Sequence, residues 1–340
     1  MRQQRVTSFD VASLAGVSQS TVSRALTGDP VVSEATRSRV VEAARALNYH
    51  VDENAARLRT GKTGTLAVVV ICRPGELRKD VNPFYYSLLG SICAAASAKG
   101  FETLVSFQDT PESLWGLYEE QRKADGLIII GSTANREAWD YFRSLHAAGA
   151  HLVCWGSPFD DFDWIRSDNR EGARLATSHL IDRGYRRIVY IGTENSPQRQ
   201  FKERWDGFAE RMRESGLDPQ LAEIDESLSR EEQGRKAVQA LAQAGWPCDA
   251  LFAACDEIAL GALEELRHFG KDVPQEIGLI GFDGNRAGAH SSPPLTSIEP
   301  DFESAGAMLV EKLLGLIADE PHEQHRVSVR LLERESTRRA

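Results

Sequence analysis

Gln19, Ser20 and Arg24 are spaced to share the outward side of one short helix, and chemistry is first expected from them. The stretch that holds them, VASLAGVSQSTVSRAL (11–26), is rich in hydroxyls and carries no charge except Arg24. Slender side chains that both donate and accept suit the DNA major groove. There each base pair shows its own pattern of donors and acceptors, and arginine is the usual bidentate partner of guanine. Thr7, Ser18 and Ser23 lie around them and are expected to hydrogen-bond phosphates, fixing register without reading sequence. The plainer alternative is a three-helix packing module with a solvated polar face.

Elements able to position these residues follow from the local pattern. Ser8 is expected to cap a helix over 9–15, with Val11, Ala12 and Ala15 on one face and Gly16 ending it. Val17 then turns inward, and Ser18 caps a second helix to about Leu26 that buries Val22 and Ala25. Ala12 is the small residue that a close helix-turn-helix crossing requires. Ser33 caps a third helix, in which Val40, Ala43, Ala44 and Leu47 recur at helical spacing.

The bulk numbers agree with a basic head on an acidic body. Residues 1–62 carry nine Lys/Arg against six acids, whereas the remaining residues carry 31 against 44. A polyanion is therefore expected at the head alone. The five cysteines form no C-x-x-C pair and read as reduced thiols rather than disulfides or a zinc site. No signal-like or membrane-length apolar run is present, so a cytoplasmic protein, neither secreted nor embedded, is expected. At 340 residues the chain calls for two or three domains.

From residue 65 the pattern changes. TLAVVVIC, ETLVSFQ, GLIIIGS, HLVCWGS, RIVYIGT, ALFAACD and IGLIGFD alternate with helical stretches, which implies parallel sheets covered by helices on both faces. The length suggests two similar lobes dividing near 164–168. Ligands in such folds bind at the carboxyl ends of strands, in a cleft between lobes. ARLRTGKT resembles a phosphate loop, but Ala56 replaces its first glycine and no strand precedes it. G-x-G-x-x-G, G-x-S-x-G and H-E-x-x-H are absent, and His322 with His325 reads as a surface pair. No enzyme, metal or cofactor is expected. The competing reading is a solute-binding protein or metabolite-processing enzyme with an accessory DNA-binding head.

Residues 6–63 resemble the DNA-binding head of the lactose/galactose repressor (LacI/GalR) family. V-T-x-x-D-V-A-x-x-A-G-V-S-x-x-T-V-S-R-x-L is met from Val6 to Leu26, and VSEATRSRVVEAARALNY continues the pattern. NPFYYSLLGSI, SDNREGARLATSHLIDRGYRRIVYIG, ERWDGF, DEIALGALEEL and IGFDG…SPPLTSI are similar to its effector domain, whose fold is that of periplasmic sugar-binding proteins.

The resemblance implies a helix-turn-helix domain over 1–50, a hinge over 51–64 and a two-lobed body over 65–340. The lobes are expected at 65–164 with 295–323, and at 165–294 with 324–340. In the hinge it implies that Leu58 wedges a minor-groove base step while Ala55 and Ala56 let two backbones approach. Val51 stands where proline is usual, and Asp52 and Glu53 open the segment. In the body it implies that Arg204 forks onto ligand hydroxyls or a carboxylate and that Asp283 accepts from two hydroxyls. Trp155, Phe84 and Phe282 are candidate stacking faces, with Gln198 and Gln200 in the loop ahead of Arg204. Cys154 and Cys255 stand where sugar-responsive relatives often carry an acid and an asparagine. The expectation is a homodimer or tetramer on a pseudo-palindromic operator, repressing transcription under control of a sugar or sugar-like metabolite.

Overall fold

Thr7, not Ser8, opens the first helix in the computed structural model, which describes residues 6–49, 62–78, 81–159, 161–196, 198–320 and 323–339. The reason is Asp10, whose Oδ2 accepts from the Thr7 amide at 2.8 Å and from the Thr7 hydroxyl at 2.7 Å. This capping box starts α1 (Ser8–Ala15) a residue earlier than expected. Gly16 ends it at φ +63°, in the left-handed region where glycine meets no Cβ penalty. Ser18 caps α2 (Gln19–Leu26), its Oγ accepting from the Thr21 amide at 3.2 Å, and Ser33 caps α3 (Glu34–Ala46) in the same way. Val11, Ala12, Ala15, Val22, Ala25, Val40, Ala43 and Ala44 meet in one small core. Arg37 locks the end of α2 by donating to Asp29 O at 3.0 Å and Ala25 O at 3.4 Å.

Residues 1–63 form one unit of the chain and residues 64–340 another. In the second unit β1 (Thr65–Ile71) shows how the sheets are made. Leu66, Val68 and Val70 enter one core, while Ala67, Val69 and Ile71 enter another on the opposite face. Successive side chains of a strand alternate between faces, so a continuous apolar run is what a strand covered on both sides requires.

β1 pairs in parallel with β2 (Glu102–Gln108) and β3 (Leu127–Gly131), and the sheet continues through β4 (Leu152–Trp155) and β5 (Trp164–Ser167). A second sheet holds β6 (Ile188–Gly192), β7 (Gln220–Glu223), β8 (Ala250–Ala253), β9 (Gly278–Phe282) and β10 (Thr296–Pro300). β11 (His325–Val327) completes the first sheet, in the order β11-β5-β4-β3-β1-β2. β12 (Val329–Leu332) completes the second, in the order β12-β10-β9-β8-β6-β7, and is antiparallel to β10.

Helices α4 (Pro83–Ala98) and α5 (Arg136–Ala147) belong to the first lobe. To the second belong α6 (Asn169–Asp182), α7 (Arg199–Glu214), α8 (Arg230–Gln243), α9 (Asp256–His268) and the short α10 (Arg286–Ala289). Helix α11 (Phe302–Ile317) packs back against α4 and the first sheet.

The chain therefore passes between lobes after β5, after β10 and between β11 and β12. These crossings fall later than the expected 164, 294 and 324. β5 and β11 bond to the first sheet, so they belong with it. LTSIEP likewise stays in the second lobe, because β10 registers against β9. Among the described residues no helix is long and apolar enough to cross a membrane.

Candidate functional site

The outer side of α2 carries Gln19, Ser20 and Arg24, all exposed. Gln19 Nε2 donates to Ser8 Oγ at 2.9 Å, bracing α2 against α1, and the Ser20 hydroxyl lies 2.8 Å from that of Ser18. Arg24 keeps 60% of its side chain exposed and lies 3.8 Å from Asp29, a loose surface pair that leaves its fork free to re-pair. Ser18 is committed as a cap, and Ser23 is half-buried. Both donors of Thr7 go to Asp10, and those two bonds hold the Asp10 carboxyl below its usual range. The face can offer polar groups to a groove edge from a rigidly capped helix. Ala55, Ala56 and Leu58 lie outside the described residues.

In the second unit a cavity of about 460 Å³ opens at the carboxyl ends of both sheets, a size usual for small-molecule sites. Phe84, Trp155, Gln198, Gln200, Arg204 and Asp283 all line it. Arg204 projects from α7 and is only 4% exposed. Its Nε donates to Asn169 Oδ1 at 3.0 Å, its Nη1 to Ala254 O at 2.5 Å and its Nη2 to Asp283 Oδ1 at 3.1 Å. Five donors minus these three leaves two N–H groups for a ligand. Asp283 follows β9 at φ +116°, and its amide donates to Ile298 O at 2.7 Å. Burial outweighs the neighbouring Arg204 and keeps the Asp283 carboxyl above its usual range.

Phe282 is a correction. The side chain is fully buried and does not line the cavity, so it cannot stack on a ligand. Its ring instead lies beneath Arg204 and supports the guanidinium. Cys154 also differs from expectation. Its side chain enters the core on the face of β4 that carries Phe142 and Phe162, and its Sγ donates to Asp163 O at 3.3 Å. It therefore takes no anchor from the cavity, whereas Cys255 does line it. Phe84 and Trp155 pack together, ring centroids 5.9 Å apart, and present an apolar wall. Gln200 spans the lobes, its Nε2 donating to Gly156 O at 2.9 Å. Gly156 sits at φ +64°, and a Cβ there would come within 2.1 Å of Gln200 Nε2.

Several cavity residues went unnoticed in the sequence. Asn82 caps α4 and donates across the cleft to Glu257 Oε2 at 2.8 Å. Burial, together with the charges of Glu231 and Asp283, pushes the Glu257 carboxyl up to about 8. Arg73 and Arg230 also reach the cavity. Asn169 is fully buried behind Arg204 and donates to Glu203 Oε2 at 2.9 Å, and Glu203 grips Arg326 of β11 through two 2.9 Å bonds. A chain of contacts thus runs from the cavity to a crossing strand. The NPFYY run was the one signal pointing to Asn82. Asn169, Arg230 and Glu257 sit at helix starts, where caps and solvated turns look alike in sequence, and Arg73 sits in the loop after β1.

Comparison with known proteins agrees with this fold. Residues 9–52 match the family described as bacterial regulatory proteins, lacI family, and residues 177–337 match a periplasmic binding protein-like domain. The HTH-type transcriptional regulator CelR of Thermobifida fusca is 30% identical over 345 residues, spanning 98% of this chain and 99% of the relative. A solved transcriptional regulator CelR–cellobiose complex is similar over 98% of this chain and all of its own, at 27% identity and a TM-score of 0.67. The lac repressor dimer bound to operator and the anti-inducer ONPF shares the fold over 98% of this chain and 99% of its own, with 24% identity and a TM-score of 0.76. The chain belongs to the lacI family of bacterial regulatory proteins and is a DNA-binding transcriptional regulator controlled by a small-molecule effector.

Proposed function

We propose that this regulator is a repressor that reads its operator through Gln19, Ser20 and Arg24, with Thr7, Ser18 and Ser23 on phosphates and Ala55, Ala56 and Leu58 in the minor groove. Its effector is a sugar or sugar-like metabolite held between the lobes by Arg204 and Asp283, against Phe84 and Trp155, with Gln198 and Gln200 at the edge. The protein binds this ligand reversibly and does not transform it. It acts as a homodimer or tetramer on a pseudo-palindrome in the bacterial cytoplasm, at the nucleoid.

One observation carries this reading. Arg204 meets the cavity with donors to spare while Asn169 and Glu203 link it to Arg326. A ligand seated on Arg204 therefore bears on β11, the strand just ahead of the last crossing between lobes. Ligand and operator then alter each other's affinity by one common factor, typically about 5–150-fold.

Genomic footprinting of the protein with and without metabolite extract tests it. Discrete protected sites whose occupancy changes with extract, and no longer changes in Arg204→Ala, are the expected result. Occupancy that ignores every extract would overturn effector control through this cleft.

A further inference from the structure

Arg73 and Arg230 enter the cavity from opposite lobes. Arg73 follows β1 in the first lobe, and Arg230 is the first residue of α8 in the second. The two lie close together, because Arg73 Nη1 donates to Leu228 O at 3.4 Å, just ahead of the Ser229 cap of α8. Arg204 is ion-paired with Asp283, whereas neither of these two makes a close ion pair with a described residue and their charges reach Glu257, and that of Arg230 also Asp283, only at longer range. Among the described residues, the Arg230 guanidinium contacts only Gln233 Oε1 at 2.9 Å and the Phe201 ring at 4.6 Å, and that of Arg73 only the Leu228 carbonyl.

Two cations on facing walls repel as the lobes close, and an anion between them turns that repulsion into two charge-assisted pairs. The start of α8 adds the positive end of a helix dipole to the same corner.

Four acids line the cavity, and one of them, Asp283, is paired with Arg204. Glu76 Oε2 accepts from the Arg73 amide at 3.0 Å and is used in closing that turn. Glu257 accepts from Asn82 and, raised to about 8, is largely protonated at neutral pH, so it offers a ligand a donor rather than a second negative charge. Glu231, in the first turn of α8, and Asp283, on which Arg230 also acts, are the anions a ligand must compete with.

We infer that the ligand of this cleft is an acidic sugar, a polyol of carbohydrate size bearing one carboxylate or phosphate that sits between Arg73 and Arg230. The inference rests on the effector reading of the cleft and narrows its chemical class.

Calorimetry and thermal shift on the full chain test it, with D-glucose, D-glucosamine, D-glucuronate, glucose 6-phosphate and inorganic phosphate as probes. Glucuronate or glucose 6-phosphate is expected to bind about tenfold or more tightly than glucose. That preference should vanish in the Arg73→Gln/Arg230→Gln double variant and survive in Arg73→Lys/Arg230→Lys. Whichever anionic sugar dominates tells carboxylate from phosphate, and inorganic phosphate alone should stabilise the wild-type chain but not the glutamine variant.

Tighter binding of glucose or glucosamine overturns the acidic class, as does an anion preference that outlives the double glutamine variant or an absence of any anion-dependent response. A neutral or cationic sugar whose binding is lost in Arg204→Ala would overturn this inference and leave the effector reading standing.

Discussion

The guanidinium carbon of Arg204 lies 3.6 Å from the centroid of the Phe282 ring, so cation and aromatic face are in direct contact beneath the cleft. The pair lets a buried arginine keep its planar fork in one orientation, with Asn169, Ala254 and Asp283 as acceptors.

Arg204→Ala removes the partner of a buried carboxylate, and an uncompensated buried charge costs about 3–5 kcal/mol. Urea unfolding of the body should fall by an amount in that range, reduced by whatever proton Asp283 then takes up. Arg204→Lys keeps the charge but loses the fork and the stack, and should retain more stability than alanine while losing effector response. Equal stability of all three proteins would remove the Arg204–Asp283 pair from the fold's supports.

Arg24→Ala should cost about 1–3 kcal/mol on the preferred operator and relax discrimination at one base position. Binding to a panel of single-base operator variants measures both quantities. A uniform loss across the panel would assign Arg24 to phosphate instead.

Thr7→Ala separates two roles for one hydroxyl. Loss of a helix cap should lower the head's stability by about 1 kcal/mol. If Thr7 also neutralises nothing on the DNA, the slope of log affinity against log salt stays as it was, whereas losing a phosphate contact by a cation lowers it by about 0.9. A stable head with weakened, sequence-independent DNA binding would assign the hydroxyl to phosphate rather than to Asp10.

Glu257→Gln should flatten the pH dependence of stability. The folded carboxyl is raised from the ordinary 4.5 to about 8 by burial first and then by Glu231 and Asp283. Its folded form therefore binds the proton more tightly than the unfolded chain does. The stabilisation is complete below about 4.5 and is lost progressively as pH rises towards about 8. Urea midpoints for wild type and variant, compared across that window, should converge at its acid end and diverge at its alkaline end. Parallel curves would place Glu257 in contact with water.

The readable parts of this chain were those where one residue type has one cause. The β1 run is apolar on both faces because helices cover both, and no exposed structure tolerates such a run. Gly16 and Ser18 punctuate the head because a left-handed turn and a helix cap each demand a narrow set of residues. Trp164–Ser167 was unreadable as a strand. It spans four residues and includes Arg166, whose charge is buried against Glu203, Ser157 and the Trp164 ring. Of those partners, Glu203 and Ser157 lie outside the strand in the sequence.

The site was legible to the same extent. Arg204 and Asp283 came with a motif, but alternation in IGLIGFD could not tell that Phe282 faces the core under Arg204 while Asp283 faces the cavity. Arg73, Arg230 and Glu257 are ordinary surface residue types, and only the meeting of two lobes encloses them.

The three passages of chain between the lobes have a consequence for biosynthesis. The first sheet ends at β11 and is covered by α11, so its edge and one covering layer are supplied by residues 302–327, which follow every strand of the second sheet except β12. During vectorial synthesis the second lobe's central strands are complete while the first lobe still waits for its final pieces. The nascent first lobe must hold an open edge at β5 until β11 is made, which makes β5 the place where a stalled or truncated chain would recruit a foreign strand.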